Sequence, residues 1–297
     1  MADTDNPALA PTGSTGWSTW ARVEGYTANG KGTVRGASSD FKARYDESLG
    51  FVQGGVNWTF MNDDMGRAVA SLFGHYGNSE SEISDSLGGR AGSVDIDSYG
   101  LAGSFSYVST TGFCGDLVVL YSKHDIDTAT VDNVTGKTDG KSLAFSGEAG
   151  WQFAMGEAMS IVPQVQLVYQ DSDIDSFTNT RDVPMTTKFS KGKSLEGRFG
   201  VRFHCDETLT SIDKALRLHL RTDIVHEFKE NSVATVNGIG LGYNQKGTGF
   251  EFGAIAWLVP VTGKGIKFGG QFDYRTPFKD EKGRQAFSAS GMVGVNW

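Results

Sequence analysis

The final segment of the chain limits its possible folds more than any other feature. Phe287, Ala289, Gly291, Val293, Val295 and Trp297 fall on one face of an extended stretch, and Ser288, Ser290, Met292, Gly294 and Asn296 fall on the other. Successive side chains of a strand point to opposite faces, so this alternation describes a strand between two different surroundings. The segment before it repeats the pattern, with Ile266, Phe268, Gly270, Phe272 and Tyr274 opposed to Lys267, Gly269, Gln271, Asp273 and Arg275. So do Leu216, Leu218, Leu220 and Ile224 against Arg217, His219, Arg221 and Asp223, and Phe145, Ala149, Trp151 and Phe153 against Ser146, Glu148 and Gln152.

A soluble sheet also alternates, so spacing has to decide what lies on each side. Strands are expected near 17–27, 45–60, 67–79, 94–109, 112–127, 141–154, 159–173, 188–204, 214–228, 247–259, 264–275 and 285–297. Most exceed the five or six residues usual in globular sheets, and their even number suits a bacterial single-chain barrel. The connections after odd strands are mostly long and polar (28–44, 80–93, 128–140, 174–187 and 229–246), and those after even strands mostly short (61–66, 110–111, 155–158 and 260–263), with 276–284 short for a loop and 205–213 long for a turn. These features predict an all-β fold, a 12-stranded antiparallel transmembrane barrel of the outer-membrane type, with long loops extracellular and both termini periplasmic. Strand four changes parity between Ile96 and Tyr99, which implies either a bulge there or a different register from the one drawn.

Composition agrees. The chain has 40 glycines, 11% aromatic residues and only six prolines, with a mean hydropathy of −0.29. It lacks the run of about 18 apolar residues that a membrane helix needs, but a spanning strand needs only about 9–11. A net charge of −8 and a pI near 5.2 exclude nucleic acid as the main partner. Cys114 and Cys205 have neither a disulfide framework nor the spacing of a zinc site, and are expected as free thiols.

Parity assigns Arg22, Glu24, Glu148, Glu196, Arg198, Arg202, Arg217, Arg221, Asp223, Glu251, Lys267, Asp273 and Arg275 to the lumen. An Arg or Lys facing lipid at the midplane would cost about 2–4 kcal/mol, which supports that side. These charges serve either as a salt-bridge network that stiffens the barrel or as a polar conduit for a passing chain. Twelve strands lie between filled eight-stranded barrels and open sixteen-stranded ones, so the bore should admit one helix or an extended chain. Trp17, Trp20, Trp58, Trp151, Trp257 and Trp297 lie near strand ends at the periplasmic rim, as an interfacial girdle would place them, although Trp257 has the lumen's parity.

The chain resembles the C-terminal translocator domain of autotransporters, the type V secretion proteins. The resemblance rests on Trp20-Ala21-Arg22-Val23-Glu24-Gly25, on Tyr45-Asp46 followed by Gly50 to Val56, on Val225-His226-Glu227-Phe228, and on the aromatic-terminated last strand. It implies residues 17–297 as the barrel, behind a linker remnant or leader at 1–16, and a longer precursor with an N-terminal passenger. It also implies that the passenger or its linker threads the lumen, in a monomeric barrel set among outer-membrane lipid and lipopolysaccharide. Phe287, Val293, Val295 and Trp297 resemble the signal read by the barrel assembly machinery. No cofactor is implied, and without an Asn-Asn pair for cleavage within the barrel no catalytic residue is carried over.

The other motifs are weaker. Asp171, Asp173 and Asp175 open like a calcium loop, but Ser176 replaces the turn glycine and Asp182 the closing Glu, so a solvated loop and no metal site is expected. His75, His124, His204, His219 and His226 are scattered, with no nucleophile elbow beside them. Two other functions remain open on these residues, a passive channel for small solutes and a lipolytic enzyme.

Overall fold

The computed structural model describes residues 15–35, 40–85, 89–132, 134–156, 158–180, 184–189, 191–209, 212–229, 231–236, 239–244, 247–261, 264–278 and 283–296. In chain order the strands are β1 (Gly16–Arg35), β2 (Asp40–Asp63), β3 (Gly66–Asp85), β4 (Arg90–Ser109), β5 (Phe113–Thr130), β6 (Thr135–Trp151), β7 (Phe153–Ala154), β8 (Met159–Ile174) and β9 (Phe177–Thr178). They continue as β10 (Thr186–Phe189), β11 (Gly192–Leu209), β12 (Lys214–Glu227), β13 (Asn231–Val236), β14 (Ile239–Asn244), β15 (Thr248–Pro260), β16 (Gly265–Pro277) and β17 (Gly283–Asn296).

Twelve of them form the barrel. Each of β1 to β6, β8, β11, β12 and β15 to β17 pairs antiparallel with the next in that order. β17 returns to β1 from Ser18↔Asn296 to Lys31↔Gly283, so the ring has no free edge. Closure matters because an open edge in hydrocarbon would leave backbone N–H and C=O groups without partners. Trp297, expected in the girdle, lies outside the described residues.

One end of the barrel carries short turns and the other carries the loops. At the loop end β1 to β6 run on, up to the 24 residues of β2, whereas β15 and β16 stop at 13. The stretches expected as bare loops at 174–187 and 229–246 contain β9, the first half of β10, β13 and β14, and these complete the taller side. β14 pairs with the tip of β1 at Thr33 to Arg35, β13 with β14, β10 with β13 and β9 with β10. Thr180 N–H then donates to the Thr135 carbonyl of β6 at 3.1 Å. The hydrogen-bonded wall is therefore carried round a second time, beyond the twelve-stranded ring. Asp171 and Asp173 belong to β8 rather than to a loop, with Lys193 at 3.8 Å and Lys191 at 3.6 Å respectively; Asp182 lies outside the described residues.

No bulge lies between Ile96 and Tyr99, because β3 and β4 pair without interruption through Ser79↔Ile96 and Tyr76↔Tyr99; the extra residue of β4 is Ala91, between the pairs Ile83↔Gly92 and Ser84↔Arg90. Ile96 simply lies on the inner face, and the register shifts at Ile83/Ser84 instead. A second shift in β2, at Thr59/Met61, falls next to the turn into β3.

Candidate functional site

Alternation along the strands divides their side chains between an outer and an inner surface. The outer surface is apolar and exposed: Val52, Val56, Leu72, Leu101, Phe105, Leu117, Val119, Leu143, Phe145, Leu167, Phe199, Ile224 and Phe268 all stand on it. Around its turn end runs a band of rings. Trp17 stacks on Trp58 at 5.8 Å, Trp58 meets Phe60 at 5.3 Å, Phe60 meets Phe105 at 6.1 Å, and Phe113 meets Trp151 edge-on at 6.3 Å. Phe287 and Val293 are also exposed, and Val295 shares their parity at intermediate exposure.

Two tryptophans depart from the expected girdle. Trp20 shares the inward parity of Arg22 and Glu24; its indole N–H donates to Asn57 Oδ1 at 3.0 Å and its ring packs on Phe73 at 5.4 Å. Trp257 is 2% exposed and clusters with Ile255 and Val259. Both lie near strand ends, where a girdle residue would sit, but the face is decided by parity. Inside, they belong to two apolar clusters near the turn end, one around Phe73, Ala102 and Val118 and the other around Ile255, Trp257 and Val259. The lumen is thus less uniformly polar than expected.

All thirteen charged residues assigned to the lumen occupy inner-face positions, and most are joined. Arg221 contacts Glu251 at 2.6 Å, Asp273 at 2.9 Å and Asp223 at 3.1 Å. Arg198 contacts Glu251 at 2.8 Å and Glu196 at 2.9 Å, and Arg275 reaches Glu196 at 2.7 Å. One continuous network therefore spans β11, β12, β15 and β16. Gln164 extends it to β8 by donating to Asp223 at 3.2 Å, and Gln271 donates to Asp273 at 2.7 Å. Close approach is possible because Gly253 leaves space beside Arg221 and Asp273 that a Cβ would occupy. Separately, Arg202 meets Glu148 at 2.9 Å and Arg22 meets Glu24 at 3.5 Å. Asp223 is 2% exposed and Arg202 3%. Such burial is tolerable only because each charge has partners.

The opposite wall is chemically different. On the inner faces of β3 to β6, Ser98 hydrogen-bonds His124 Nδ1 at 2.7 Å and Ser142 hydrogen-bonds His124 Nε2 at 2.8 Å, while Ser122 lies 3.2 Å from His75 Nε2. Both nitrogens of His124 meet hydroxyls, whereas a Ser-His-acid triad would place one on a carboxylate. His204 and His219 stack at 4.2 Å on β11 and β12, and His226 bonds Thr248 at 2.7 Å. Cys114 and Cys205 form no disulfide.

Sequence reasoning missed several inner residues. Arg67, on β3, donates to Thr59 Oγ1 at 3.4 Å; the nearby register shift and the apolar Val69 and Phe73 on the same face hide its parity. Glu227 is a second case. Its carboxylate accepts from Ser194 Oγ at 2.6 Å and from the N–H groups of Leu195 and Lys229, each at 2.9 Å, tying the loop ends of β11 and β12 together.

A closed ring of long antiparallel strands, apolar outside and filled with paired charge inside, defines a bacterial outer-membrane β-barrel. The sequence matches the autotransporter beta-domain over residues 19–259, and the chain belongs to that family, whose barrels are the outer-membrane translocators of the autotransporter system. It is 25% identical over 223 residues to the adhesin BmaC autotransporter of Brucella suis biovar 1 (strain 1330), a match covering 74% of this chain but only 6% of that protein. Among solved structures, the transport unit of the autotransporter AIDA-I from Escherichia coli superposes with a TM-score of 0.72 at 13% identity, covering 97% of this chain and 93% of that one. The beta domain of the Bordetella autotransporter BrkA gives 0.65 at 17% identity, covering 95% and 99%. At these identities the structural likeness speaks for the fold.

Proposed function

We propose that this barrel anchors and exports its own N-terminal passenger, with the turn end periplasmic, the loop end extracellular, and the passing chain running along the serine and histidine wall of β3 to β6. The observation that supports the route is the asymmetry of the inner surface. On β11 to β16 the long charged side chains fill their share of the lumen and are locked to one another, so a passing chain would have to break several buried ion pairs. On the loop side of the Phe73, Ala102 and Val118 cluster, serines and glycines of β3 to β6 leave the wall low and offer hydroxyls that exchange partners at small cost, since a neutral hydrogen bond contributes only about 1 kcal/mol net. Filled charge on one side also weighs against a passive channel for small solutes.

The remaining assignments follow from this placement. The outer ring of Trp17, Trp58 and Trp151 meets the periplasmic lipid interface, the taller loop end meets lipopolysaccharide, and the barrel works as a monomer. Phe287, Val293 and Val295 present the outer face of β17 to the barrel assembly machinery, and no step needs a cofactor or an enzymatic group.

The test is surface display. An epitope-tagged segment with a signal sequence is joined upstream of residue 1 and expressed in a Gram-negative host. The proposal expects the tag to be protease-accessible on intact cells while the barrel migrates as a folded species. A folded barrel whose tag stays in the periplasm would contradict it.

A further inference from the structure

The charges in the middle of the lumen sit in close ion pairs, but three cations at its turn end do not. Arg67 of β3, Arg217 of β12 and Lys267 of β16 all have inward parity there, and each lies within electrostatic reach of the other two. Lys267 is 0% exposed and donates to the neutral Asn296 Oδ1 at 2.7 Å. Among the described residues neither it nor Arg67 enters an ion pair, and the ionic contact of Arg217 is a 3.5 Å approach to half-exposed Asp206. The buried Nε of Arg67 lacks an acceptor, that of Arg217 has only the 3.5 Å approach of Asp206, and the indole N–H of Trp257, which stands opposite Arg217 in the β12–β15 ladder, has none. The unmet groups are all donors.

Such an arrangement is costly unless something negative completes it, because like charges repel most strongly where water is scarce. It is also built rather than incidental. The stem of Lys267 lies across Gly294, in space that any side chain at that position would take. The apolar cluster of Ile255, Trp257 and Val259 flanks it and lowers the local dielectric.

We propose that Arg67, Arg217 and Lys267 form a lumenal binding site for an anionic oxygen group, a phosphate or a carboxylate, at the turn end of the barrel. The guanidinium groups supply forked donors and the ammonium a point charge, the combination suited to a compact oxyanion. Two sources could provide it. One is a free anion from solution; the other is the segment ahead of β1, in which residues 1–15 carry the carboxylates of Asp3 and Asp5.

The full chain, refolded in zwitterionic detergent, is titrated with inorganic phosphate at constant ionic strength, and the thermal midpoint of the barrel is followed. The titration is repeated on a chain carrying Asp3→Asn and Asp5→Asn. The site predicts a saturable rise in the midpoint, with apparent affinity about tenfold weaker in Lys267→Met, as expected for loss of one charge-assisted contact. Arg67→Gln is the second variant, used if Lys267→Met does not fold. An equal rise in both parent chains identifies the free anion as occupant, whereas a rise confined to the asparagine chain identifies the leader's own carboxylates. No saturable rise in either chain, or one undiminished by both cation replacements, would overturn the site.

Discussion

The inner faces of β11, β12, β15 and β16 and the loop-side halves of those of β3 to β6 line the same lumen behind the same apolar exterior, yet they are built from different materials. The first carries Glu196, Arg198, Arg221, Asp223, Glu251, Asp273 and Arg275 in one connected ion-pair network. The second carries Ser98, Ser122, Ser142, His75 and His124 in short hydroxyl-imidazole contacts, with the apolar Phe73, Ala102 and Val118 and the charged Arg67 and Glu148 nearer its turn end. A buried charge must hold its partners, so the first wall is rigid by necessity. A hydroxyl can trade one neutral partner for another, so the second can accommodate a guest. The barrel thus separates stiffness from passage across its circumference instead of along its axis.

The strongest way to break this comparison is Arg221→Met. It leaves Glu251, Asp273 and Asp223 without their shared cation, and removing one member of a buried pair typically costs about 3–5 kcal/mol. The expected result is a large fall in the temperature at which the detergent-folded barrel loses its heat-modifiable band. Glu227→Gln comes next. It weakens three hydrogen bonds from β11 and the loop after β12, for a loss of about 1–2 kcal/mol, and faster hydrogen exchange at the Leu195 amide should report it. Ser142→Ala on the other wall removes one partner of His124 and should cost about 1 kcal/mol or less in the same melting assay. If Ser142→Ala destabilises as much as Arg221→Met, the two walls are not different in kind.

Much of this was legible in the sequence, for reasons that also explain the omissions. Alternation over long segments marked the twelve barrel strands, and charges of both signs on one parity marked the inner face. Trp20 was equally legible, since it shares parity with Arg22 and Glu24, but nearness to a strand end suggested the girdle. The β13–β14 hairpin had its signal too, with Asn237-Gly238 between Val236 and Ile239, a pair favoured in two-residue hairpins. Ion-pair partners could not be read, because Arg275 and Glu196 are 79 residues apart and meet only once tilt and register are fixed. Arg67 was hidden by the shift at Thr59/Met61, and the cationic turn end with it.

The contrast between the walls is tested most directly by mapping contacts with a chain held in transit. A photo-crosslinking residue is placed in turn at Ser98, Ser122 and Ser142, and at Glu196 and Arg275, in a barrel joined to a passenger whose export is stalled. Crosslinks to the stalled segment concentrated at the three serine positions are the predicted result. Crosslinks equal at the two sets, or stronger at Glu196 and Arg275, would contradict it.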